Sequence, residues 1–186
     1  MSVKPKIRTR RVIANTGIFK IEEMNLDFSN GQSRRYQRIV GSTQGAVLTV
    51  PLLDDETTLL IREYAAGTDR YELAFPKGHI EPGEDPLEAA NREIQEETGY
   101  AAMNLEKIAD FTIAPGYLSH TTHVVLARNL YPRRLEGDEP EAIEVIPWRL
   151  DKLDDLLVRD EFTEARSIAA FFMVRERLNR GDILEP

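Results

Sequence analysis

From residue 7 the apolar positions fall into short runs of strand-forming residues punctuated by turns. Residues 7–14 and 19–28 are predicted strands joined at Asn15-Thr16-Gly17, and Ser29-Asn30-Gly31 turns the chain into a third at 34–40. These three make a predicted N-terminal antiparallel sheet within residues 1–45. Strands at 46–53 and 57–63 follow across the acidic turn Asp54-Asp55-Glu56, and 71–75 is a further short strand. The period then changes. Leu87, Ala90 and Ile94 form an apolar stripe at helical spacing, Pro86 suits a first helical position, and Gly99 is a natural stop. Residues 105–113, 123–130 and 143–149 read again as strands, and 150–158 as a short helix. The last helix, 164–178, carries a stripe of Ala165, Ile168, Ala169, Phe172 and Val174. Elements in this order give an α+β fold. A mixed central sheet with flanking helices occupies residues 46–186, and the N-terminal antiparallel sheet belongs to the same domain.

Composition narrows the partners. A chain of 186 residues suits one domain with a full core. Its formal net charge of −8 disfavours a nucleic-acid backbone as the main partner, because binding one needs a positive patch. Cysteine is absent, which fits a reducing compartment and excludes disulfides and thiolate chemistry. Lys4, Lys6, Arg8 and Arg10 make the start basic, but no apolar signal core follows and no run approaches membrane-spanning length. A cytoplasmic protein with neither membrane nor nucleic acid as partner is expected.

The chemistry is concentrated in the helix that begins at Pro86. Glu93, Glu96 and Glu97 stand at i, i+3 and i+4, so they share an arc of about 100°. Three carboxylates crowded on one face repel one another, and a bound cation makes the arrangement favourable. Oxygen-only donors point to a hard ion, magnesium or manganese, rather than zinc. A bare ExxEE is ordinarily a solvated acidic face; the surrounding spacing changes that reading. Gly78, then Glu84 after five positions, then Arg92-Glu93 after seven, then Ile94, Glu96-Glu97 and Gly99-Tyr100 complete a long fixed pattern.

That stretch, GHIEPGEDPLEAANREIQEETGY, resembles the Nudix box, with Tyr100 the one mild departure where an aliphatic residue is usual. The resemblance implies an α/β/α sandwich and hydrolysis of a nucleoside diphosphate linked to another group. It implies Glu93, Glu96 and Glu97 as catalytic magnesium ligands, with the backbone carbonyl of Lys77 as a further one. Gly78, Glu84, Arg92 and Gly99 take structural parts, Arg92 and Glu84 orienting the helix through an ion pair. In some Nudix enzymes a box glutamate acts as base, in others an acid from a later loop. Here that loop is LEGDEPE, whose Glu136, Asp138, Glu139 and Glu141 are candidates, with Glu139 taken as the loop base.

Outside the box, Ile113-Ala114-Pro115-Gly116 and the runs around Arg62 and Glu72 resemble ADP-ribose pyrophosphatases. REYAAGTDRYELAFPKG, the acidic loop and FTEARSIAAFFMVRERL are closer still to bacterial ADP compounds hydrolases of the NudE type. This likeness implies ADP-ribose, NADH and diadenosine polyphosphates as substrates, with AMP released. Arg62, Arg35 and Arg38 are candidates for phosphate contacts and Glu72 for the adenine end. Tyr117, beside Pro115, is the best-placed aromatic for stacking. The resemblance also implies a homodimer, formed through the N-terminal sheet. Ala65 stands where ADP-ribose pyrophosphatases often place an arginine, and Ser119-His120-Thr121 replaces a usual acid, which weakens strict ADP-ribose specificity. Alternatives are another nucleotide-sugar or triphosphate substrate, or an ADP-ribose-binding sensor without catalysis.

Overall fold

The computed structural model describes residues 3–138 and 140–182. In chain order the strands before the first helix are β1 (Lys6–Asn15), β2 (Lys20–Asp27), β3 (Ser33–Val40), β4 (Ala46–Pro51), β5 (Thr57–Ala65), β6 (Arg70–Ala74) and β7 (Lys77–His79). Helix α1 (Pro86–Glu97) precedes β8 (Tyr100–Thr112), β9 (Leu118–Ser119), β10 (Thr121–Pro132) and β11 (Glu144–Arg149). A 3₁₀ turn at Leu150–Lys152 leads into α2 (Leu153–Leu157), and α3 (Ala165–Arg180) follows. The chain divides into two compact units, one of Met1–Gly45 with Thr112–Thr121, the other of Ala46–Phe111 with Thr122–Pro186.

The first unit holds the N-terminal sheet. Its order is β1-β2-β3-β9, so a fourth strand from beyond residue 45 joins the expected three. Strand β9 pairs parallel with β3 through Ile39↔Leu118 and Val40↔Ser119. Both expected turns close with glycine at positive φ, Gly17 at 93° and Gly31 at 80°. Strand β2 buries two consecutive carboxylates on opposite faces. Arginines from both neighbouring strands make this tolerable. Glu22 lies 3.4 Å from Arg10 and 2.8 Å from Arg38, while Glu23 lies 2.8 Å from Arg11 and 3.7 Å from Arg35.

The second unit is the sandwich. One sheet has the order β7-β4-β10-β8, with β4 and β10 parallel and β7 antiparallel to β4; the other is the antiparallel β11-β5-β6. Strand β4 is buried throughout because both its faces are covered. Leu48 and Val50, with Val124 and Leu126, pack against Ala170, Phe171 and Val174 of α3. Val47 and Val125 pack on the other side against Ala89 and Ala90 of α1. Period-two alternation thus places one helix on each face.

Helix α3 keeps part of the predicted stripe: Val174 is buried and Ile168 packs against the core, while Ala165, Ala169 and Phe172 face outward. Its buried face is Ser167, Ala170, Phe171 and Val174, and Phe172 is exposed with the Arg175 guanidinium 4.9 Å from its ring centre. Both stripes satisfy helical spacing. The choice is made by Ser167, whose buried hydroxyl accepts from the Phe75 amide at 3.0 Å and donates to Glu164 at 2.9 Å. A serine so satisfied costs little to bury. The predicted helix 150–158 is mostly the 3₁₀ turn and α2, anchored by buried Leu150, Leu153 and Leu156. Among the described residues no helix is long and apolar enough to cross a membrane.

Candidate active site

The site is built on the loop and helix that follow β4's edge partner. Strand β7 pairs with β4 at Leu48↔Lys77 and Val47↔Gly78. The chain then turns at Pro82-Gly83, where Gly83 has a φ of 86°. Helix α1 starts with Asp85 accepting from the Leu87 amide at 2.8 Å and Pro86 at its first position. Gly99, at a φ of 78°, closes it. Gly78 is required by proximity: a Cβ at that position would overlap the Glu93 carboxylate.

Arg92 gathers the acids. Its guanidinium donates to both oxygens of Glu84 at 2.9 and 3.1 Å, to the His79 carbonyl at 3.0 Å, to Glu93 at 2.8 Å and to Glu96 at 3.0 Å. The expected Arg92–Glu84 ion pair is therefore present, and it is bidentate. Glu84 holds the guanidinium charged even more firmly than usual, and Arg92 in turn keeps the Glu84 carboxyl below the ordinary range.

Glu97 is buried on the same helix, and its Oε2 accepts from the Lys77 backbone amide at 3.0 Å. Burial pushes its carboxyl well above the ordinary range; Glu93 and Glu63 add to that, and Lys77 partly offsets it. The Lys77 ammonium itself bonds Glu63 at 3.1 Å. Two residues unassigned from the sequence thus belong here: Glu63, and the side chain of Lys77 beyond its backbone. The only hint was a lysine placed directly before Gly78.

In this conformation Glu93 and Glu96 face Arg92, and among the described residues no three acids or imidazoles converge tightly enough to enclose an ion. The donor set nonetheless fits a hard divalent cation. It is all oxygen, it includes the buried carboxylates of Glu93 and Glu97, and its charge raises the cost of ionising Glu97.

The acidic loop borders this helix. A cavity of about 560 Å³ is lined by Glu96, Arg134, Glu136, Pro140, Glu141 and Ile143, among others. Glu141 accepts from the Tyr71 hydroxyl at 2.6 Å. Glu139, the expected loop base, lies outside the described residues.

The expected substrate contacts separate into two groups. Arg62 is engaged by both oxygens of Glu161, at 3.1 and 3.2 Å, and by Glu144. Glu72 is buried beside Arg70 at 2.7 Å and the Thr163 hydroxyl at 3.1 Å. In the N-terminal unit, Arg38, Pro115 and Tyr117 line one cavity of about 260 Å³ together with Tyr36 and Met24. Arg35 points from the opposite face of β3, toward Glu23, and is not part of that cavity.

Comparison with known proteins gives the following. Residues 42–171 match the NUDIX domain, and residues 5–38 match the NudE-type Nudix hydrolase N-terminal domain. The chain is 46% identical over 175 residues to ADP compounds hydrolase NudE of Escherichia coli (strain K12), covering 94% of each chain. It is 28% identical over 181 residues to ADP-ribose pyrophosphatase of Bacillus subtilis (strain 168), covering 95% of this chain and 97% of that one. A crystal structure of an ADP compounds hydrolase superposes with a TM-score of 0.90 at 44% identity, covering 97% of both chains.

Proposed function

Because the chain belongs to the Nudix hydrolases, with a NudE-type N-terminal domain ahead of its NUDIX domain, we propose that it hydrolyses the pyrophosphate bond of ADP-containing compounds and releases AMP. The observation that carries this reading is end-to-end likeness to an ADP compounds hydrolase, 46% over 94% of both chains, joined to every charged and glycine residue of the box. ADP-ribose, NADH and diadenosine polyphosphates are the proposed substrates.

Glu93, Glu96, Glu97 and the Lys77 carbonyl would hold magnesium, with manganese as a substitute. Magnesium when bound neutralises the pyrophosphate and makes a coordinated water more acidic. The chain's own residues prepare the site. Arg92 sets the rotamers of Glu93 and Glu96 by direct hydrogen bonds, and the Lys77 amide sets that of Glu97. An acid of the 136–141 run takes the proton from the attacking water as the new P–O bond forms and the bridging P–O bond breaks. Glu139 is proposed for that part.

Arg38 and Tyr117 are proposed to hold the nucleotide, Arg38 through phosphate and Tyr117 by stacking, because both line the cavity of the N-terminal unit. Arg35 is a weaker candidate for phosphate, being turned toward Glu23. Arg62 and Glu72 are already engaged by neighbours and are proposed as scaffold. A homodimer through the N-terminal sheet is proposed as well. In support, β1 is exposed along almost its whole length, and Val12, Ile13, Ile18 and Phe19 are exposed apolar residues on or beside it. Light scattering at micromolar concentration tests this, and a monomer refutes it. The cytoplasm, where such compounds are held, is the proposed location.

The function is tested with a magnesium-supplemented panel of ADP-ribose, NADH, NAD, diadenosine triphosphate, GDP-mannose and 8-oxo-dGTP, beside a Glu97→Gln control. AMP from several ADP compounds, lost in the control, is the expected result. Activity confined to GDP-mannose or the triphosphate would overturn the substrate class. ADP-ribose binding without turnover would make the protein a sensor.

A further inference from the structure

One face of the β11-β5-β6 sheet changes character along its length. Leu60, Leu73, Ile146 and Trp148 pack into the core at one end. At the other end the same face carries Arg62, Tyr64, Tyr71 and Glu144, as the registers Arg62↔Glu144 and Tyr64↔Tyr71 require. None of the proposed chemistry uses this polar end, yet one of its groups, the Tyr71 hydroxyl, reaches the acidic run.

Two moorings result. The Tyr71 hydroxyl donates to Glu141 at 2.6 Å, and its ring is braced edge-on by Tyr64, with centroids 5.7 Å apart. Three residues on, Glu144 pairs with Arg62, which Glu161 holds by a second, bidentate pair. The start of the run is fixed independently. Its Leu135 amide donates to the Gln95 carbonyl of α1 at 3.3 Å, and the Arg133 amide to Gly99 at 3.0 Å.

We propose that Tyr71, seconded by Arg62, is a positioning residue for the hydrolysis: it holds Glu141 and so fixes the far end of the acidic run beside the box helix. The inference rests on the hydrolase reading above. It also gives Glu141 a part of its own, as a tether rather than a proton acceptor. Tethering both ends of a short segment removes most of its alternative arrangements before substrate arrives. The 2.6 Å length suits a charge-assisted bond, and Glu141 raises the Tyr71 phenol above its ordinary range.

The test uses Tyr71→Phe, which keeps the ring against Tyr64 and removes only the hydroxyl. With ADP-ribose, kcat is expected to fall about tenfold while KM stays within about twofold. Amide hydrogen exchange in peptides spanning 136–142 is expected to accelerate, with the melting temperature unchanged. Glu141→Gln keeps an oxygen acceptor and should lose less kcat than Glu141→Ala. Glu141→Ala should match Tyr71→Phe, and the double variant should be no worse than either. Unchanged kcat or unchanged exchange in Tyr71→Phe would overturn the tether. So would an inactive Glu141→Gln beside an active Tyr71→Phe, which would make Glu141 the base. Should the unmodified protein cleave no ADP compound, the hydrolase reading fails, while the exchange experiment still decides the mooring.

Discussion

The Glu93 carboxylate occupies the space that any side chain at position 78 would need. The glycine of β7 and the first glutamate of the ExxEE cluster are thus one steric unit, fifteen positions apart in sequence. Gly78→Ala must displace either the β7 backbone, which is paired to β4, or the Glu93 carboxylate, which is bound by Arg92. Overpacking of this kind costs about 1–3 kcal/mol. The expected outcome is a lower urea midpoint and at least a tenfold loss of kcat/KM. Intact activity with lowered stability would show that Glu93 can move without consequence.

Arg92 makes its contacts through all three guanidinium nitrogens, so a lysine cannot replace it. A point charge keeps one or two contacts and leaves Glu84, largely buried, short of a partner. Arg92→Lys is expected to lose about 1–3 kcal/mol of stability and most of kcat. Glu84→Gln, which keeps an oxygen for Arg92, should be milder on both counts. Denaturant melts and steady-state kinetics on the pair separate charge from geometry.

What was legible beforehand follows from range. Helix α1 was legible because its proline, apolar stripe and terminal glycine lie within fourteen residues and agree. The N-terminal hairpins were legible from the asparagine and glycine of their turns for the same reason. Strand β9 was not, since two residues carry no period and their pairing with β3 joins positions about eighty apart. The face of α3 was read only in part, through Ile168 and Val174, because Ser167 looks polar until its hydroxyl is matched to Phe75, ninety-two residues away. At the site, the glutamates and Arg92 are local and were readable. Glu63, the Lys77 ammonium and the Tyr71–Glu141 bond depend on tertiary contact. Arg62 shows no partner in the sequence, whereas folding supplies it with Glu144 and Glu161.

Glu164 ties pH to stability. It caps α3, its carboxylate accepting from the Arg166 and Ser167 amides at 3.3 and 2.8 Å. Burial by itself raises its carboxyl, but Arg166 and the Ser167 bonds outweigh that, so it titrates below its unfolded value of 4.5. A lowered folded value means the stabilisation is complete above about pH 4.5 and is lost as pH falls through the folded value. Glu164→Gln should cost about 1 kcal/mol at neutral pH, and the two proteins should converge on acidification. A gap that persists in acid, in urea melts across a pH series, would assign the cap to shape rather than charge.

Arg38 offers the test of the N-terminal cavity. It lines that space with Tyr36 and Tyr117 while Glu22 fixes its Nε at 2.8 Å, and its other guanidinium nitrogens are the ones proposed to meet an incoming phosphate. Arg10, 3.4 Å from the same carboxylate, keeps Glu22 compensated if Arg38 is removed. Arg38→Ala should therefore fold normally. Loss of one charge-assisted contact to bound nucleotide should raise KM about tenfold, with kcat within about twofold. Because Arg35 faces away from the cavity, Arg35→Ala should leave KM unchanged. Equal effects from the two would point to a general electrostatic contribution of β3, and the steepness of KM against salt would then measure it.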